Sequence, residues 1–100
     1  MAGIVFTADG RDWGSSSGIF YWVIDTLANQ VQDPDLAARL REISEYNLGS
    51  LALDKLPEAQ QQELSAAIRA LPDIARRELP ESSGREDVIA QISELAGLFA

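Results

Sequence analysis

The stretch GSSSGIFYWVIDTLANQV, residues 14–31, decides the fold class of this chain. Its apolar residues follow the i, i+3, i+4, i+7 and i+11 spacing of one helix face: Phe20, Val23, Ile24, Leu27 and Val31. The alternative is a buried strand over IFYWVI, because these residue types favour strands. Since the stripe continues through DTLANQV, we predict a helix over 19–31, with one of the preceding serines as its N-cap.

Upstream of this helix the sequence predicts a short strand followed by a loop. GIVFT, residues 3–7, alternates weakly and is rich in strand formers. Residues 8–18 carry Asp-Gly, two further glycines and three serines, a composition typical of turns. Further along, SLALDKL (50–56) is predicted to be extended and is a candidate to pair with GIVFT.

Downstream, the punctuation of the chain predicts further helices. Asp33 is a suitable N-cap, Pro34 suits the first helical position, and Asn47-Leu48-Gly49 is a stop signal. Pro57 opens the next helix, Pro72 is expected to kink or restart it, and Pro80 ends the short helix that follows. The serine and glutamate of SGRE, residues 83–86, match a capping box for a last helix.

These segments together predict a mainly α protein. We expect a compact bundle of four to five helices with one or two short strands, near the N-terminus and in the middle of the chain, and with a small N-terminal hairpin as a further option. A length of 100 residues suits a single domain, 1–100, with 1–18 as strand and loop and 19–100 as the helical body.

The composition argues against an enzyme. The chain has no cysteine and no histidine, so the commonest general base, the commonest metal ligand and thiolate chemistry are all missing. Gly14–Gly18 precedes a helix but lacks the lysine and the spacing of a phosphate-binding P-loop. The paired aspartates Asp9 with Asp12 do not supply the alternating ligands of an EF-hand. We therefore predict no catalytic site, no cofactor and no metal.

The acidic charge has two interpretations: it attracts a basic partner, or it only keeps a small protein soluble. The formal net charge is −8, and residues 25–63 hold eight acids against three bases, a net charge of −5. Such a surface repels nucleic-acid phosphates and attracts basic proteins. The start of the chain is too soon polar for a signal peptide, and the longest apolar run, 19–24, is too short to span a membrane. We expect a cytoplasmic protein with no membrane and no nucleic-acid partner.

The outer faces of the first two helices are the candidate binding surface. On a helical wheel of 19–31, Tyr21 and Trp22 fall opposite the core stripe beside Asp25 and Asn29, and aromatic residues with polar tips are enriched in interface hot spots. The alternative is that the two aromatics pack under another part of the chain. The next helix adds an acidic face, so the predicted partner-binding residues are Tyr21, Trp22, Asp25, Asn29, Asp35, Glu42, Glu45 and Tyr46.

A small, acidic, histidine-free chain with aromatics and carboxylates on one face resembles the bacterial immunity proteins that neutralise cognate toxins. Colicin-type immunity proteins are small acidic helical bundles, and barstar also places acidic residues against a basic enzyme. The resemblance covers size, charge and the loose likeness at Tyr21, Trp22 and Asp25. It implies a cytoplasmic, bacterial inhibitor that occludes a basic site on a protein toxin.

Two other functions stay open on the sequence. The first is a helical adaptor or self-associating structural protein, whose exposed aromatic face forms a homodimer interface. The second is a small-ligand protein or enzyme with a pocket that the sequence does not reveal.

Overall fold

The computed structural model describes residues 2–99 as five α-helices and a small three-stranded sheet. The elements in chain order are β1 (Ala2–Phe6), β2 (Asp12–Ser16), α1 (Ser17–Gln30), α2 (Pro34–Glu45), β3 (Ser50–Ala52), α3 (Glu58–Arg69), α4 (Leu71–Glu78) and α5 (Arg85–Gly97). A 3-10 turn at Leu53–Lys55 joins β3 to α3. The mainly helical class with short strands is confirmed. None of the helices described is both long and apolar enough to cross a membrane.

The sheet is mixed, with β1 at its centre. Its strand order is β2-β1-β3, where β1 pairs antiparallel with β2 and parallel with β3. Val5 of β1 lies opposite Trp13 on one side and Leu51 on the other, and all three are buried. The expected pairing of the 50–56 segment with the N-terminal strand is therefore confirmed for Ser50–Ala52.

Residues 8–18 are not one loop, because Asp12–Ser16 forms β2, which pairs antiparallel with β1 as the small N-terminal hairpin that was one option. The register with β1 supplies backbone partners that outweigh the weak strand preference of glycine and serine. Trp13 anchors the strand, because its indole is 4% exposed and its Nε1 donates to the carbonyl of Gln91 at 3.0 Å. Turn geometry is kept at Thr7–Arg11, where Thr7 N donates to Arg11 O at 2.8 Å.

Helix α1 confirms the helical interpretation of the aromatic stretch against the strand alternative. It begins at Ser17, because Ser16 in extended conformation caps it and accepts a hydrogen bond from Ile19 N at 3.5 Å. Phe20, Val23 and Ile24 are fully buried, as the spacing predicts. Helix α2 begins as expected at Pro34, with the side chain of Asp33 accepting from Asp35 N at 2.9 Å.

The later helices confirm the proline signals and correct one cap. Helix α3 follows Pro57, and Pro72 lies in the first turn of the restarted helix α4. The predicted capping box at 83–86 is not formed, because α5 starts at Arg85 with Gly84 as its N-cap and no side chain caps it. Arg85 instead donates to Arg76 O at 2.6 Å, which ties the start of α5 to α4.

The core lies between the sheet and the helices. Helix α1 is its centre, because it packs against α2, α3, β1 and β2. Every one of the elements contributes buried apolar side chains, and the largest fully buried ones are Val5, Phe20, Ile24, Leu27, Leu36, Leu40, Leu53, Leu64, Ile68, Leu71, Ile92 and Leu95.

Candidate binding surface

Helices α1 and α2 form an antiparallel pair, which is the frame of the candidate surface. Three residues, 31–33, join them, a length typical of helical hairpins. At the other end Tyr21, in the second turn of α1, accepts a hydrogen bond from Gly49 N just beyond the end of α2. The start of α1 therefore lies beside the end of α2. The predicted site residues Asn29 and Asp35 consequently sit near the connection, while Tyr21, Trp22 and Tyr46 sit at the opposite end.

Tyr21 does not stand on an open outer face, which corrects the helical-wheel expectation. Its side chain is half-buried and packs against the core, with its ring edge-on to Phe20 at a centroid distance of 5.0 Å. Its hydroxyl accepts the Gly49 N–H at 3.1 Å. Tyr21 therefore follows the alternative interpretation, in which it packs under another part of the chain. Its role in the fold is to hold the segment between α2 and β3.

Trp22 is also half-buried against the core, so the expected aromatic pair on α1 is only partly accessible. Asp25 and Asn29 are exposed, as predicted. Together with exposed Gly18 they occupy positions i, i+7 and i+11 of one narrow strip, and half-buried Trp22 occupies position i+4. Neighbouring elements cover most of the rest of α1, and for this reason its two aromatic side chains are half-buried.

Asp35 is exposed but engaged within the molecule. Its carboxylate accepts from Gln60 Nε2 at 2.7 Å and from Arg39 Nε at 3.0 Å. These hydrogen bonds, that from Gln60 first and that from Arg39 second, lower the pKa of Asp35 below its ordinary value. Because Arg39 and Gln60 already occupy this carboxylate, Asp35 is less available to a partner than the sequence suggested.

The end of α2 carries the most accessible predicted residues. Glu42 and Glu45 are exposed, and neither forms an ion pair with any residue of the described chain. Tyr46, which follows Glu45, is 64% exposed and is the most exposed large apolar side chain in residues 2–99. We call Glu42, Glu45 and Tyr46 the α2 surface. Arg41 is also exposed on α2, so the helix as a whole is not uniformly acidic. The negative charge of the α2 surface is therefore local.

The structure adds exposed apolar residues that the sequence prediction missed. Leu48 is 55% exposed in the connection after α2, and Ile4 and Phe6 are 37% and 39% exposed on the outer face of β1. The alternation of Ile4, Val5 and Phe6 could have indicated that Ile4 and Phe6 lie away from the core, since alternate strand residues point to opposite faces. Only the structure shows that none of the helices within residues 2–99 covers the second face of the sheet.

Two shallow depressions flank the turn at Thr7–Arg11. Their volumes are about 170 and about 310 Å³, and Thr7 and Arg11 border both. The Arg11 guanidinium is occupied, because it pairs with Asp9 at 2.9 Å and donates to Leu98 O at 2.6 Å. The Arg11 and Thr7 side chains hold the pKa of Asp9 at about 2, so this carboxyl stays ionised at neutral pH. A carboxyl kept ionised in this way is a poor general acid.

The described residues also gather no metal ligands: within 2–99 no three Asp or Glu side chains lie close enough to hold an ion together. Comparison of the chain with protein-family models, with curated proteins and with solved structures found no match. The exposed surface of the molecule is therefore the feature that bears on its function.

Proposed function

We propose that this chain is a non-catalytic binding protein that recognises a basic protein partner through the α2 surface. The observation that carries the proposal is the exposure of Tyr46 beside two carboxylates that form no ion pair within residues 2–99. A tyrosine presents a large apolar ring with a polar tip, and such residues often dominate binding free energy. The exposed Asp25 of α1 adds a further carboxylate.

The charge of the whole molecule supports the choice of a basic partner. The net charge of −8 raises the encounter rate with a positively charged protein and lowers it with nucleic acids. We extend the proposal to an immunity-type inhibitor that occludes the basic site of a toxin, where Glu42 and Glu45 take the place of the toxin's acidic substrate groups.

The test of the surface is charge reversal with a matched control. The variant Glu42→Lys/Glu45→Lys should weaken binding to a lysine-rich peptide by about tenfold or more at low salt, because two attractive charges become repulsive. The control Glu58→Lys/Asp73→Lys changes the net charge equally at exposed sites on α3 and α4 and should have a much smaller effect. Equal losses in the two variants, measured by calorimetry, would contradict the surface assignment.

The inhibitor class has its own test. The chain is added to the purified product of the neighbouring gene, and the enzymatic activity of that product is measured. We expect stoichiometric loss of activity with the native chain and recovery with Glu42→Lys/Glu45→Lys. A neighbouring product that is neither basic nor inhibited would contradict the immunity-type role while leaving binding of basic proteins intact.

Self-association through the aromatic face of α1 has less support, because Tyr21 and Trp22 are half-buried. It remains a separate hypothesis with a simple measurement. If α1 formed a homodimer interface, the solution mass would be that of a dimer and Trp22→Ala would lower it. A monomer at all concentrations would rule this interface out.

A further inference from the structure

The hydrogen-bond pattern of the sheet determines which backbone groups of β2 point away from it. Ile4 N donates to Gly49 O on the β3 side, and Thr7 N donates to Arg11 O on the β2 side. Backbone groups alternate along a strand, so the odd-numbered residues of β1 bond to β2. Their register partners in β2 are Trp13 and Ser15. The N–H and C=O groups of Asp12 and Gly14, and the N–H of Ser16, therefore face the outer edge.

This outer edge of β2 is open. Asp12, Gly14 and Ser16 are all exposed, and their outward backbone groups bond to no other backbone or side chain in residues 2–99, apart from the Ser16 carbonyl that begins α1. The strand has a regular register, without proline, lysine or a bulge, which are common protections of edge strands. The opposite edge, β3, is protected by its length of three residues and by half-buried Ala52.

The outer face of the edge carries one acidic residue, Asp12, beside exposed apolar residues of β1. Asp12 is exposed and forms no ion pair within the described chain. On the helical side, Ser15 Oγ donates to Gln91 Oε1 at 2.8 Å, and Gln91 Nε2 donates to Asp87 at 2.9 Å, which places a second carboxylate near the edge. On the outer face, glycine at position 14 leaves Ile4 uncovered.

We propose that the open edge of β2 is a strand-addition site for an extended basic segment of a partner protein. The added strand bonds to the outward groups of Asp12, Gly14 and Ser16. It places a basic side chain opposite Asp12 and an apolar side chain opposite Gly14, where that side chain covers Ile4. The inference rests on the proposed function in one respect, the basic character of the partner. It adds a second binding surface on the protein and a binding mode, strand addition.

Charge favours a basic segment over a second copy of the chain. Two copies each carry −8, and antiparallel self-pairing about Gly14 would set Asp12 opposite Ser16, without any ion pair. A basic segment in the same position gains the attraction of Asp12. Self-pairing is therefore an outcome that the experiment must be able to detect.

The experiment uses the capped peptide Lys-Thr-Val-Thr-Lys, which presents lysines and valine on one face in either strand direction. Titrated into the ¹⁵N-labelled full chain, it should give saturable shifts of the amides of Asp12, Gly14 and Ser16 and slow their hydrogen exchange. The matched peptide Glu-Thr-Val-Thr-Glu should bind about tenfold more weakly. Absence of β2 shifts at millimolar peptide, or a chain that is already dimeric through this edge, would overturn the proposal.

Two backbone variants locate the binding edge. Gly14→Pro removes an outward N–H and keeps the bonds between β1 and β2, because proline is tolerated on the open side of edge strands. It should abolish peptide binding. Ser50→Pro removes the corresponding outward N–H at the opposite edge and should leave affinity unchanged. If Gly14→Pro does not fold, Asp12→Lys takes its place and should reverse the preference between the two peptides; an unchanged preference would contradict the proposed edge.

The two proposals fail in different ways. If peptide shifts appear only around the α2 surface and vanish in Glu42→Lys/Glu45→Lys, the strand-addition site is wrong and the proposed function stands. If β2 shifts persist and charge reversal at Glu42 and Glu45 changes nothing, the α2 surface is wrong and the edge site stands.

Discussion

At the scale of single residues, Gly3 shows how closely strand and helix meet. A Cβ built at this position would lie 2.0 Å from Cγ of Phe20, far inside van der Waals contact. Phe20 is fully buried near the start of α1, so its ring has no room to move away. The absence of a side chain at Gly3 therefore allows β1 to pack directly on α1, although no sequence pattern singles out this glycine.

We predict that Gly3→Ala lowers the free energy of unfolding by about 1–3 kcal/mol, the usual cost of overpacking a core. The matched control is Gly97→Ala at the exposed end of α5, where an added Cβ meets nothing within 4 Å. The control should be neutral or raise stability by about 0.5–1 kcal/mol, because alanine favours helix. Urea denaturation measures both, and equal stability of Gly3→Ala and the native chain would contradict the close packing.

At the scale of elements, helix starts separate what a motif predicts from what the chain forms. Asp33 and Ser83 are both suitable N-cap residues in the sequence. Only Asp33 caps a helix, accepting from the backbone N–H groups of Asp35 and Leu36. At α5 the helix begins one residue after the position that the capping box requires, with Arg85 bonded to the carbonyls of Arg76 and Leu79. A tertiary contact therefore sets where this helix starts.

Asp33 and Ser83 give a paired prediction about helix caps. Asp33→Ala should cost about 1 kcal/mol of stability, the typical value for loss of an N-cap. Ser83→Ala should cost almost nothing, because its hydroxyl caps no helix. Since Asp33 also accepts from Gln60 Nε2 at 3.3 Å, Asp33→Ser, which keeps a capping oxygen, isolates the cap from that contact. A comparable loss in Asp33→Ala and Ser83→Ala, by thermal unfolding, would show that the box forms in solution.

At the scale of the whole molecule, pH acts through two carboxylates with lowered pKa values. Asp9 is bound by Arg11 and Thr7, which lower its pKa to about 2, and Asp35 is bound by Gln60 and Arg39, which lower its pKa below the ordinary value. A carboxyl whose pKa is depressed in the folded state stabilises the fold above its unfolded pKa of about 4. That contribution is lost as the pH falls towards the folded pKa.

We therefore predict that stability declines between about pH 4 and about pH 2, in part through Asp9. The variant Asp9→Asn should flatten this part of the profile while leaving the profile near pH 7 parallel to that of the native chain. The measurement is the free energy of unfolding against pH, from denaturant titrations. Asp12→Asn, at an exposed aspartate without an ion pair in the described chain, is the matched control. Identical acid slopes in Asp9→Asn and the native chain would exclude this role for Asp9.

The sequence predicted the elements better than the surface. The stripe from Phe20 to Leu27, the cap at Asp33 and the prolines at 57 and 72 each act within a few residues, so they located α1 to α4. A small N-terminal hairpin was only an option, and its second strand was not located at Asp12–Ser16, because the stability of that strand comes from pairing with β1, not from its own glycine and serines. The candidate surface was predicted in part: Asp25, Glu42, Glu45 and Tyr46 are accessible, whereas Tyr21 and Trp22 are half-buried.

The sequence by itself determined the helical class, the core stripe of α1 and the acidity of the molecule, because periodicity, caps and charge are local or additive properties. The tertiary structure alone decided which aromatic residues stay accessible and which strand edge stays open. Both depend on what packs across from a residue: the Gly49 N–H donates to the hydroxyl of Tyr21, and nothing in the described chain pairs with the outer edge of β2. Within GSSSGIFYWVID, the helical period of the residues in α1 gives the direction of each side chain. Only the neighbouring elements determine whether that side chain reaches solvent.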